Sequence, residues 1–258
     1  MERAFFRFYA ELNDFLTTCK RQVTFAHPFE GSASVKDLIE SLGVPHPEID
    51  LILVNSESVD FSYRVRDGDQ ISVYPRFKSI DITSLTYVRP QPFQEPRFIL
   101  DVHLGKLTTY LRILGFDALY QNDSPDEVLA QVSSREDRIL LTRDRGLLKR
   151  SIVIHGYCVR KTSPWQQLVE VLQRFDLLGS IIPFQRCPHC NGLTKPTSKA
   201  LICDRLPPKV RQYYDEFRVC QTCSQIYWKG THYQHMQRFI AHLEQMHAPE
   251  GQHQTKIF

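Results

Sequence analysis

The spacing of apolar positions divides the chain into stretches of different period. In the first, RAFFRFYAEL and QVTFAHPF are short runs rich in aromatic and β-branched residues, as strands require, and the intervening NDFLTTCKR holds turn formers. VKDLIESLG then takes up a helical period. Ser34 stands at its N-cap, Asp37 can complete a capping box three residues on, and Gly43 marks its stop. DLILVN reads as a further strand, and in RDGDQISVYP the triplet Asp67-Gly68-Asp69 turns the chain into the last one. The order strand, strand, helix, strand, strand predicts an α+β domain over residues 1–77.

Residues 78–96, KSIDITSLTYVRPQPFQEP, carry prolines and little helical period, as an interdomain connection does. Over residues 97–183 strands and helices alternate, which implies a parallel sheet. FIL ends on Asp101, and the helix after it has Leu104, Leu107, Leu111 and Leu114 at helical spacing with Gly115 as its stop. FDALY is a second short strand. Asp123 or Ser124 can cap the next helix, which has Pro125 in its first turn and Val128, Leu129 and Val132 as its apolar positions. RILLTRD is the third strand, VIHGYCVR the fourth, and Ser163-Pro164 opens a helix with Trp165, Leu168, Val169, Leu172 and Phe175 on one side.

Two of these strands stop on an acid, Asp101 and Asp144. In a parallel sheet both fall at the carboxyl edge, where open α/β folds place their ligands. Asp126 opens a helix that begins near the same edge. Each acid alone also suits a cap, a turn or the dipole of a helix N-terminus. Three converging carboxylates repel one another unless a cation joins them, and oxygen donors of this kind select Mg²⁺ or Mn²⁺. Lys106, Arg112, Arg143 and Arg145 lie close by in sequence and can bind phosphate; each also suits a solvated surface position. The hydroxyl of Thr142 can orient a ligand at the same edge.

Composition narrows the possibilities. The apolar and charged fractions, 42% and 24%, are those of an ordinary globular protein. No apolar run approaches the roughly 20 residues that span a bilayer, and MERAFFRFYAELNDFL has charges scattered through it in place of a signal-peptide core. A cytoplasmic protein with no membrane partner is expected. Of seven cysteines, Cys187, Cys190, Cys220 and Cys223 form two Cys-x-x-Cys pairs, the spacing of a closed tetrahedral zinc site that holds structure and leaves no open coordination position. Cys19, Cys158 and Cys203 read as spare thiols. Lys and Arg against Asp and Glu number 8 and 12 in residues 1–77 but 9 and 3 in residues 184–238, so the cysteine-bearing end is the basic one. Tyr213, Tyr214, Tyr227 and Trp228 offer stacking surfaces there, or pack the ribbon itself. The closing THYQHMQRFIAHLEQMH has an apolar stripe of Met236, Phe239, Ile240, Leu243 and Met246, with His232, His235, His242 and His247 as packing or surface residues and His232 the best placed of them for a role.

Two resemblances sharpen this outline. VKDLIESLG, LILVN and VRDGDQISVYP together resemble a ubiquitin-like β-grasp domain of the small sulfur-carrier type. Such carriers end in a free Gly-Gly; here the chain continues as YPRFKSI, so a binding or positioning module is expected, with a possible protein partner. FILDVHLGKLTTYLRILGFDALY, DSPDEVLAQVSSREDRILLTRD and the cysteine pairs resemble the PIN-like RNase domain of the Mut-seven C-terminal family over roughly residues 96 to 235. That resemblance implies a metal-dependent endoribonuclease whose catalytic acids are Asp101, Asp126 and Asp144. Many PIN nucleases have a fourth acid after the next strand, and SIVIHGYCVRKT offers none.

The expected architecture is therefore α/β and α+β multidomain: an N-terminal β-grasp, a central PIN-like parallel α/β/α sheet, and a zinc ribbon with a helix over residues 184–258. The expected function is hydrolysis of RNA phosphodiesters with Mg or Mn at the aspartates and zinc at the cysteines, the ribbon assisting RNA binding. A non-catalytic RNA-binding adaptor and a single-strand DNA nuclease are the competing readings.

Overall fold

The computed structural model describes residues 1–77, 85–88 and 95–247, without the side chains of residues 232, 235 and 242–247. The chain forms two compact units, one of residues 1–105 and 119–160, the other of residues 106–118 and 161–258.

In the first unit, β1 (Glu2–Phe8) and β2 (Phe25–Phe29) form an antiparallel hairpin, α1 spans Val35–Ser41, and β3 (Ile49–Val54), β4 (Glu57–Ser58) and β5 (Gln70–Pro75) complete a sheet of order β2-β1-β5-β3-β4. β1 and β5 run parallel at its centre, the β-grasp arrangement. The helix starts as its sequence requires: the Ser34 hydroxyl accepts the Asp37 N–H at 3.1 Å and donates to the Asp37 carboxylate at 2.6 Å. The NDFLTTCKR segment is not a simple turn. Ala10–Phe15 and Thr18–Lys20 are 3-10 helices, because Leu12 and Phe15 are buried and the Asn13 amide donates to the Phe8 and Ala10 carbonyls.

The same unit holds a second sheet, in the order β7-β6-β8-β9, made of β6 (Phe98–Leu100), β7 (Ala118–Tyr120), β8 (Ile139–Thr142) and β9 (Gly156–Cys158). β6–β8 and β8–β9 pair in parallel. After β6 comes α2 (Gly105–Ile113); α3 (Asp126–Arg135) packs on β6 and β8, and α4 (Arg145–Leu148) on β8 and β9. Neither Asp123 nor Ser124 caps α3. Asp123 has φ +61° and Pro125 takes the cap position, so Asp126 is the first helical residue. The two sheets share one apolar cluster, in which Phe8 and Ile39 belong with Leu140, Leu147 and Val153.

Polar contacts follow that junction. Glu48, fully buried, accepts the Cys158 N–H at 2.6 Å and pairs with Arg160 at 3.3 Å. The Arg160 guanidinium lies over the Phe15 and Tyr157 rings, 4.8 and 5.0 Å from their centroids. His46 bridges the Glu40 carboxylate and the Val153 carbonyl, 2.7 Å from each.

In the second unit α2 stops at Gly115, whose φ is +99° and where a Cβ would stand 2.2 Å from the Ile182 carbonyl oxygen. α5 (Pro164–Arg174) buries Leu168, Val171 and Leu172; Val169 is only half buried, Val171 taking its place on the inner face. β10 (Thr194–Thr197), β11 (Phe217–Cys220) and β12 (Ile226–Trp228) make an antiparallel three-stranded ribbon, with α6 (Pro208–Tyr213) before β11 and α7 (Thr231–His247) after β12. Met236 and Ile240 of α7 are buried, and Phe239 packs on Trp165, which stacks on Tyr110. The side chains of Leu243 and Met246 lie outside the described residues. Among the described residues no helix is long and apolar enough to cross a membrane.

Candidate active site and metal centre

Parallel register positions the acids. Leu100 pairs with Leu141, so the next residues along, Asp101 and Thr142, come opposite one another at the carboxyl edge. Both are buried, and the Thr142 hydroxyl donates to Asp101 Oδ2 at 2.7 Å while accepting the Asp144 N–H at 2.9 Å. Asp144 is exposed and caps α4, its Oδ1 accepting the Gly146 N–H at 2.7 Å. Thr142 thus joins the two strand-end acids in one hydrogen-bonded turn. Asp126, half buried, opens α3.

The three carboxylates are hard oxygen donors of the type Mg²⁺ and Mn²⁺ prefer. Among the described residues the group of three or more candidate metal ligands brought together is the four cysteines, whose sulfurs all lie within 4.8 Å of one another; the three carboxylates do not form such a group.

The basic residues fare differently. Lys106 and Arg143 are exposed. Arg145 is exposed as well, but its guanidinium donates to the Phe15 carbonyl at 3.3 Å and lies 5.0 Å over that ring. Arg112 corrects the expectation of a phosphate contact. It is 5% exposed, and its Nε donates to the Ala118 carbonyl at 2.8 Å while Nη1 donates to those of Pro188 and His189 at 3.1 and 2.8 Å. Its Nη1 thus braces the first cysteine turn, while Nε holds the start of β7. Burial lowers the Arg112 pKa, and the Cys187 and Cys190 thiols oppose that shift.

The cysteine cluster is compact. Cys187 and Cys223 sulfurs are 3.6 Å apart and those of Cys190 and Cys220 3.4 Å, too long for disulfides and close to the edge of a tetrahedron of roughly 2.3 Å metal–sulfur bonds. Cys190 N–H points to the Cys187 sulfur, and the Thr222 and Cys223 N–H groups to that of Cys220, each at 3.4 Å. Burial works to raise the Cys220 pKa, but the Cys223 and Thr222 amides outweigh it and bring the thiol down to about 6. Burial first, then the neighbouring thiols, push Cys223 up to about 12. A Cβ at Gly192 would lie 2.4 Å from Thr222 Oγ1 and 3.2 Å from the Cys220 sulfur, so only glycine leaves room for this cradle. Donor set, spacing and cradle all fit zinc.

Sequence reading missed the supports of this cradle. Asn191 donates to Asp117 at 2.8 Å and accepts the Ala118 N–H at 3.1 Å, and Arg186 pairs with Asp117 at 3.3 Å. Only the position of Asn191 directly after Cys190 hinted at them. His232, His235, His242 and His247 have side chains outside the described residues.

Residues 96–240 match the family model described as the Mut7-C RNAse domain, which covers more than half of the chain. The chain belongs to that family. Residues 1–81 match a second family, Mut7-C ubiquitin, which accords with the β-grasp sheet of β1 to β5. No curated protein and no solved structure matches significantly. Membership of the Mut7-C RNAse family gives the chain a nuclease-like, hydrolytic character, and the ubiquitin-like segment is of a type that contacts other proteins.

Proposed function

We propose that this Mut7-C protein is a metal-dependent endoribonuclease that hydrolyses RNA phosphodiester bonds at Asp101, Asp126 and Asp144. The observation that carries the reading is the Asp101–Thr142–Asp144 chain of hydrogen bonds at the carboxyl edge of a parallel sheet. Asp101, Asp126 and Asp144 would hold Mg²⁺ or Mn²⁺, which when bound activates water and offsets charge on the attacked phosphodiester. Thr142 fixes the Asp101 carboxylate from its buried side, so the outward face of that carboxylate is presented in one orientation. Lys106 and Arg143 contact substrate phosphates. Arg145, engaged with Phe15, steadies the turn that carries Asp144.

Zinc on Cys187, Cys190, Cys220 and Cys223 holds the ribbon, which assists RNA binding. The β-grasp sheet shares its core with the nuclease sheet and meets a protein partner through its remaining surface. Cleavage of single-stranded RNA with Mn²⁺ or Mg²⁺, compared between wild type and Asp144→Asn, tests the assignment. The wild type cuts and the variant does not; equal activity in both would sink the site. Single-stranded DNA run in parallel reads out the preferred sugar.

A further inference from the structure

We infer that the ribbon carries a pocket for one unstacked nucleobase of a single-stranded nucleic acid. The inference rests on the nuclease reading for its choice of polymer and on the following geometry for its place.

Within the second unit a cavity of about 420 Å³ opens between the ribbon, the start of α7 and the segment at Phe184. Its size falls in the range of roughly 300–1,000 Å³ typical of small-ligand sites, and its walls combine aromatic rings with prolines and charged residues. Phe184 and Tyr233 stack with centroids 4.2 Å apart, and Trp228 and Tyr227 come from β12. Tyr227 is fixed by its hydroxyl, 2.9 Å from the Cys187 sulfur, so one wall is tied directly to the cysteine centre. Trp228 is placed by Gly230, where a Cβ would stand 2.9 Å from the indole nitrogen.

Phe184 has φ +64°, a strained conformation for a bulky side chain that persists only where the surroundings impose it. Here they do. Its N–H donates to the Ile113 carbonyl at 2.8 Å, and its carbonyl accepts the Thr194 hydroxyl at 2.6 Å. The strain keeps an aromatic ring in the cavity wall.

The rim is charged in both senses. Arg218 is held by two bonds to Thr194, and Lys229 pairs with Glu216. Flat aromatic walls suit the π-face of any base, the carboxylates of Asp215 and Glu216 can accept from an exocyclic amino group, and the cations suit the adjoining phosphate. Two of the three acids of residues 184–238 line this cavity, but both are paired, Glu216 with Lys229 and Asp215 with Lys199. With 9 basic residues against 3 acidic, the segment as a whole favours a polyanion over a free organic cation, the other occupant of aromatic cages.

The test uses the full-length, zinc-loaded protein and a fluorescein-labelled single-stranded RNA of about 12 nucleotides, without added Mg²⁺ or Mn²⁺ so that the strand stays intact. Tyr233→Ala and Trp228→Phe weaken binding roughly tenfold, Tyr233→Phe does not, and all three retain zinc. Removing single bases from the strand costs wild type a similar factor at one position and costs Tyr233→Ala nothing further there. Unchanged affinity in Tyr233→Ala and Trp228→Phe overturns the pocket, as does displacement of the RNA by tetramethylammonium but not by nucleoside monophosphates. Retained cleavage by Asp144→Asn would overturn the catalytic assignment alone and leave this binding result standing.

Discussion

Thr142 is one residue past the register pair Leu100–Leu141, and its hydroxyl is both donor to Asp101 and acceptor from the Asp144 amide. Thr142→Val keeps the shape but strips both bonds. Supporting groups of this kind typically matter by about 10–100-fold, so metal-dependent RNA cleavage should fall by that factor. Steady-state cleavage alongside urea unfolding separates the two effects: the unmade bonds cost about 1–3 kcal/mol of stability, while unchanged cleavage would remove Thr142 from the site. Glu136 supplies a pH-dependent contribution. Arg138, then Arg135, donate to its carboxylate and hold its pKa below the ordinary 4.5. Because the folded value lies below the unfolded one, this stabilisation is complete above about pH 4.5 and fades as pH falls through the lowered value. Urea midpoints between about pH 3 and 6 should therefore drop less steeply in Glu136→Gln than in wild type. Asp101 and Asp144 were legible as strand-end acids because strand ends are local events; the hydroxyl that links them depends on the register of two strands some forty residues apart.

At the scale of elements, the cysteine turns show how spacing and packing divide the work. Cys-x-x-Cys spacing alone announced four ligands, since two thiols three positions apart reach one ion. Gly192 was silent in the sequence, yet its missing Cβ admits Thr222 and the Cys220 sulfur. Gly192→Ala is expected to release zinc to a chelator at lower chelator concentration than wild type, measured as free zinc; identical release curves would show that the turn yields without cost. Arg112 shows the opposite error. Its position on a leucine-striped helix next to an acid looked like a phosphate contact, but the carbonyls it binds belong to Pro188 and His189, more than seventy residues later.

At the scale of the molecule, the β-grasp and nuclease sheets of the first unit share a core, and a buried ion pair lies at their junction. Glu48 lies on a 3-10 turn with no periodic signal, and its partners Cys158 and Arg160 are 110 and 112 positions away. Burial works to lower the Arg160 pKa, but Glu48 outweighs it and the net direction is upward, as a committed ion pair requires. Removing Arg160 leaves the buried Glu48 carboxylate with the Cys158 N–H but without its countercharge, a loss that typically costs about 3–5 kcal/mol, whereas replacing both by apolar groups is far milder. Arg160→Met should lower the urea midpoint strongly and Glu48→Leu with Arg160→Met should recover much of it. Equal midpoints for wild type and Arg160→Met would mean that the apolar cluster alone unites the two sheets.

The amino-acid order by itself marked most strands and helices of residues 1–77 and 97–183, the acids Asp101 and Asp144 at strand ends, and the two cysteine pairs each spaced to share one ion. Each of these follows from spacings of two to four residues, the range over which a backbone period acts. Tertiary structure alone decided that Arg112 braces the cysteine turn, that Glu48 and Arg160 share a buried junction, and that Phe184 is forced to face Tyr233. Those facts depend on which distant surfaces meet, and a partner a hundred residues away leaves no trace in local periodicity.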